Sequence, residues 1–136
     1  MLSSAKSWVP SPTDMAVSVI VFVEDVARSL LLRAPVVGGE LDHLDEDGSY
    51  GELNSGVGFA AHHHVERHLD LSFHRNEPEG LPSGFELDFA VGDVDAVFAR
   101  ALEAGATAVW EPREKPWGRS ALLRDLDGVF FHITQA

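Results

Sequence analysis

Apolar positions recur along this chain in two periods, and the order of the periods is itself repeated. Val21-Phe22-Val23 leads into Glu24-Asp25, and Phe89-Ala90-Val91 leads into Gly92-Asp93. Val23, Asp25 and Val26 return half a chain length later as Val91, Asp93 and Val94. Each run reads as a strand closed by an Asp that caps a helix, because a carboxylate there accepts bonds from the unpaired first-turn N–H groups. In the second copy Val94, Val97, Phe98, Ala101 and Leu102 trace one helical face over 93–104, with Gly105 in the terminating position. In the first copy Leu30-Leu31-Leu32 is apolar all round and Pro35 ends a helix near 25–34.

A second correspondence lies downstream. Asn54-Ser55-Gly56-Val57 matches Leu126-Asp127-Gly128-Val129, each Gly turning one strand into the next. The pattern predicts strands near 16–23, 37–43, 48–54 and 57–63, then near 85–91, 106–111, 119–125 and 129–134. The expectation is an α+β domain spanning 15–136, made of two tandem β-α-β-β-β modules at about 15–64 and 84–136. Residues 65–83 read as a linker and 1–14 as a flexible N-terminal arm.

Charge narrows the function. Ten Lys and Arg stand against 22 Asp and Glu, a net charge of −12. Such a chain repels phosphate backbones, which argues against nucleic acid and anionic membranes as partners and favours a cationic ligand. Cysteine is absent, so thiolate metal sites, disulfides and Cys nucleophiles are excluded, and a reducing cytoplasm fits that composition. No strand-to-helix elbow presents a serine near His132 and Asp88, and Gly38-Gly39 and Gly56-Val57-Gly58 lack the helix start and Lys of a phosphate loop.

The most specific stretch is Pro116-Trp117-Gly118-Arg119, then Leu123-Arg124-Asp125-Leu126-Asp127-Gly128 and Phe131-His132-Ile133. Together with Phe89-x-Val91-x-Asp93-Val94-Asp95 it resembles the vicinal oxygen chelate superfamily, which includes glyoxalase I, extradiol dioxygenases and bleomycin resistance proteins. The C-terminal half is most similar to the bleomycin resistance proteins. That resemblance implies a cup-shaped mixed sheet per module (the glyoxalase/bleomycin resistance fold), a homodimer, and a small-molecule site. Carried over residue by residue, the site comprises Ser18, Phe22, Phe59, Glu86, Asp88, Trp110, Trp117, Arg119 and His132. The aromatics would stack on a flat ring and the carboxylates would meet a cation. One departure concerns the first helix, where Leu31-Leu32 and Val37-Gly38 replace the usual aromatic pair and Leu-Gly turn.

The resemblance also implies metal-ligand positions in the superfamily's enzymes, and these fall on Ser18, Ala60, Glu86 and His132. Ala cannot ligate, and Ser is a poor donor for a divalent metal. Two readings follow. In one, the protein sequesters a cationic aromatic ligand without catalysis and needs no cofactor. In the other it is a lyase, isomerase or dioxygenase in which His62, from the His62-His63-His64 run, joins Glu86 and His132 around Fe, Mn, Zn or Ni. That second reading places His62 on a strand, one pleat beyond Ala60.

Overall fold

The computed structural model describes residues 17–37, 40–54, 56–70 and 72–136. The expected N-terminal arm, the Gly38-Gly39 pair and Ser55 of the first turn lie outside them. The elements in order are β1 (Val19–Val23), α1 (Val26–Val37), β2 (Leu41–Leu44), β3 (Tyr50–Leu53), β4 (Val57–Ala61) and α2 (His62–Leu69), followed by β5 (Glu86–Val91), α3 (Val94–Glu103), β6 (Thr107–Lys115), β7 (Gly118–Arg124) and β8 (Phe130–Gln135). They form two four-stranded mixed sheets, ordered β1-β4-β3-β2 and β5-β8-β7-β6. In each, the leading strand runs parallel to the last and the remaining pairs are antiparallel. The α+β class and the repeated β-α-β-β-β order are as expected.

Strand alternation sorts side chains onto opposite faces of each sheet. Val21 and Val23 of β1 are buried in one core cluster with Val26 and Leu30 of α1 and Phe59 of β4. Leu87 and Val129 from the second module join the same cluster. A second cluster gathers Val91, Val94, Val97, Leu123 and Ile133 around Val36 of α1. Helix α1 therefore packs against both modules, and of the Leu30-Leu31-Leu32 run Leu30 is buried while Leu31 is exposed. The faces turned away from these clusters carry Ile20 and Phe22 in the first sheet, and Glu86, Asp88 and Ala90 in the second.

A buried ionic cluster ties α1 to the turn between β7 and β8. Arg33 Nη2 lies 2.5 Å from Asp125 Oδ2 and 2.8 Å from Asp127 Oδ2. Ser29 Oγ donates to Asp127 Oδ2 at 2.8 Å, and Asp125 Oδ1 accepts from the amides of Asp127 and Val129. Burial pushes the Asp125 carboxyl above its ordinary pKa, with Arg33 pulling the other way.

Four expectations are corrected. Helix α1 continues past Pro35 to Val37; the lost N–H rung is offset by the burial of Val36 in the second cluster. Strand β2 starts at Leu41 rather than near 37 and is exposed throughout. Strand β6 extends to Lys115, because pairing with β7 persists down to Lys115 opposite Gly118. Most consequentially, β4 stops at Ala61, and His62–Leu69 is a helix. His62 and Val65, three apart, are its buried residues, and Asp70 closes it in the left-handed region at φ 49°. The expected linker thus begins as helix. Its remainder is held by Arg75, paired with Glu66 and Glu24, and by Asn76 Nδ2 donating to the Phe22 carbonyl at 2.9 Å. No helix of the described residues is long and apolar enough to cross a membrane.

Candidate functional site

Glu86 and Asp88 stand two apart on β5 and so share the face turned away from the core. In the β5–β8 register Asp88 lies opposite His132, which places a ring from β8 between the two carboxylates. His132 is 7% exposed. Its Nδ1 sits 3.1 Å from Glu86 Oε2 and 3.1 Å from Asp88 Oδ1. Neither ring nitrogen is engaged in a well-directed hydrogen bond. Both carboxylates are exposed, so a nearly buried imidazole floors a cleft rimmed by negative charge.

Two indoles wall the same ring. Trp110 from β6 meets His132 edge-on at 5.8 Å, and Trp117 does so at 6.1 Å. Trp117 occupies the short turn between β6 and β7, where Gly118 takes φ +124°, a backbone state open to glycine. The indole Nε1 donates to Ser120 Oγ at 3.1 Å, and Ser120 is fully buried. This bond fixes an otherwise exposed ring against the cleft. Lys115 places its ammonium 4.9 Å from the Trp110 ring centre and 5.7 Å from that of Trp117, so the pair already accepts a cation from the chain itself. The cleft holds about 500 Å³ and is lined by Glu86, Asp88, Ala90, Trp117, His132 and Thr134.

Of the residues expected at a site, the structure brings together Glu86, Asp88, Trp110, Trp117 and His132. The others go elsewhere. Ser18 is exposed just ahead of β1. Phe22 packs on Phe73 at 4.9 Å, and Phe59 is 1% exposed beneath the Arg33 guanidinium. Arg119 reaches the opposite face of its sheet, where it pairs with Asp95 at 2.8 Å and Glu114 at 2.9 Å. Those hydrogen bonds hold the guanidinium above its usual pKa and hold the Asp95 carboxyl below its own. His62 is buried at the start of α2, with Nε2 on the Phe22 carbonyl at 3.0 Å and Nδ1 near Glu24 at 3.4 Å. The strand placement that would have aimed it at Glu86 and His132 does not exist. Thr134, Ala90 and Ser120 were missed, although the two-residue period from Asp88 and from His132 points at the first two.

Glu86, Asp88 and His132 each offer one ligand atom, all within 4.8 Å of one another. One imidazole and two carboxylates, with both ring nitrogens uncommitted, make a donor set that fits a divalent ion such as Mn, Fe or Zn. The first module adds nothing to it, since Ala60 carries no donor.

Residues 18–134 match the family model described as Glyoxalase-like domain. The chain belongs to that family. A 55-residue stretch of this glyoxalase-like domain is 40% identical to CFP32 of Mycobacterium tuberculosis and Mycobacterium bovis, proteins provisionally named glyoxylases. The match covers 40% of this chain and 21% of theirs, about a fifth of the curated relatives' length. Among solved structures, a glyoxalase/bleomycin resistance protein/dioxygenase family enzyme from Burkholderia phytofirmans superposes with a TM-score of 0.68 at 26% identity, over 85% of this chain and 94% of that one. The hypothetical protein SA1046 from S. aureus gives 0.74 at 19%, over 90% and 95%. The fosfomycin resistance protein FosX from Mesorhizobium loti gives 0.63 at 16%, over 90% and 92%. These last two likenesses concern the fold alone.

Proposed function

We propose that this glyoxalase-like domain binds a small cationic aromatic molecule in the cleft of its second module and sequesters it without catalysis. The observation that carries this reading is the convergence of Glu86, Asp88, Trp110 and Trp117 on His132. Exposed carboxylates attract and orient a cation, and paired indoles offer ring faces and a cation–π surface worth about 0.5–2 kcal/mol per contact. At the positions where the superfamily's enzymes place metal ligands the first module has only Ser18, a poor donor, and Ala60, which has none, and this supports binding over chemistry. Two copies of the chain pair as a homodimer in this proposal, which light scattering on the purified protein checks.

Isothermal titration against bleomycin-type drugs and simple aromatic cations tests it. Glu86→Gln/Asp88→Asn should weaken binding at least about tenfold, a change of about 1.4 kcal/mol. No binding by any of the panel at high micromolar concentration overturns the reading.

A second reading rests on the donor set itself. Glu86, Asp88 and His132 would hold a divalent Fe, Mn, Zn or Ni ion, which when bound supplies Lewis acidity to a coordinated oxygen. The chain's own contribution would be to orient a substrate ring between Trp110 and Trp117. Stoichiometric metal in untagged protein, lost on Glu86→Gln or His132→Gln, would favour this reading over the first.

A further inference from the structure

The first module carries an unrelated cluster of imidazoles. His64 and His68 lie one helical turn apart on α2, with ring centres 4.3 Å apart and planes at 36°. Both line one apolar cavity of about 210 Å³, floored by Ile20, Phe22 and Ala60 and walled by Val65 and Leu69. Neither ring has a hydrogen-bond partner among the described residues. Their neighbour His62 is committed to Phe22 and Glu24, so the pair is separate from it.

From this geometry we infer a second metal site, in which His64 and His68 chelate a Cu(II), Ni(II) or Zn(II) ion across the mouth of the cavity. Two histidines at i and i+4 face the same way on a helix and can grip one ion between them. Imidazole suits these later transition metals, and a site with no hard oxygen donor at its centre disfavours Mg and Ca. Two protein ligands leave coordination positions open, and those facing inward meet apolar side chains. The geometry points to Cu(II) as the tightest-held ion, following the general order of divalent affinities.

The test uses the full, untagged chain titrated with Cu(II) and with Zn(II), read by calorimetry and by the electron paramagnetic resonance of bound copper. The wild type should bind one ion at this site with nitrogen hyperfine structure from two imidazoles. Replacing even an outer-shell partner of a metal ligand typically loses about 10–100-fold in affinity, so His64→Gln and His68→Gln should each weaken Cu(II) binding at least about tenfold. His68 is exposed and His64 half-buried, and circular dichroism checks that the variants fold. His68→Arg with Leu69→His, which moves the second imidazole off the shared face, should fail like His68→Gln. Glu86→Gln removes copper held in the second-module cleft, and in that background the two-imidazole hyperfine signal of the His64–His68 ion should persist. A two-imidazole copper signal unchanged in both histidine variants overturns the inference, as does that signal being lost only in Glu86→Gln.

Discussion

Replacing Arg33 by Leu probes the buried ionic cluster that joins the modules. Arg33 is 6% exposed, and its guanidinium serves Asp125 and Asp127, themselves 7% and 5% exposed. The substitution keeps an apolar stem against Phe59 but leaves two carboxylates facing each other without a cation. Removing one partner of a buried pair costs about 3–5 kcal/mol, since the uncompensated charge stays out of water. With a urea m-value of about 2 kcal/mol/M, the unfolding midpoint at pH 7 should fall by roughly 1.5–2.5 M.

The pH dependence discriminates the cause. Asp125 has a folded pKa raised above its ordinary 3.8 by burial, and the loss of Arg33 raises it further. A carboxyl whose folded pKa is raised contributes stability that is present below its unfolded pKa and is lost as pH rises through the folded value. The deficit of Arg33→Leu relative to wild type should therefore shrink as pH is lowered from neutrality and Asp125 takes up its proton. Carboxyls elsewhere with lowered pKa values titrate alike in both proteins and cancel. Urea denaturation of both proteins across that range is the assay. A deficit below about 1 kcal/mol, or one that stays constant with pH, refutes the electrostatic account and leaves packing alone.

Three further outcomes follow from single positions. Gly128→Ala should destabilise by at least about 2 kcal/mol, because φ +86° is left-handed and a Cβ would collide with the Glu77 carbonyl, whereas Gly48→Ala, at φ +72° in open space, should cost only about 1 kcal/mol; thermal melts of the two compare them. Tyr50, the chain's one tyrosine, has its phenol pushed well above 10.0 by burial and then by its bond to Glu52, so ultraviolet titration should show no tyrosinate band at pH 10 in the folded protein. Because that folded pKa is raised, its contribution to stability is lost as pH rises above 10, and the band should appear together with alkaline unfolding. Asp93→Ala removes the side chain that accepts from the Ala96 amide at 3.1 Å, and should lower stability by about 1 kcal/mol, or roughly 3–5 °C in Tm.

What the sequence determined alone was local and periodic. The repeated strand-Asp-helix order, the caps at Asp25 and Asp93 and the turn at Gly128 all follow from preferences acting over a few residues, and all are present in the fold. The two-residue period placed Glu86 with Asp88 on one face, and strand pairing opposite His132 then completes the cleft. Such reasoning failed at the His62-His63-His64 run, which reads as a strand end; the burial of His62 and Val65, three apart, against the first sheet makes it the first turn of a helix instead. It failed again where partners are distant: Arg33 meets Asp127 from 94 residues away, and Arg119 meets Asp95 rather than a ligand. Those contacts depend on strand order, register and the face each residue happens to occupy. The same applies to the indoles, since the β6–β7 hairpin carries Trp110 and Trp117 but only its pairing through β7 to β8 sets them against His132. Alternation tells which side of a strand a residue takes, while the neighbours it finds there are a property of the assembled sheets.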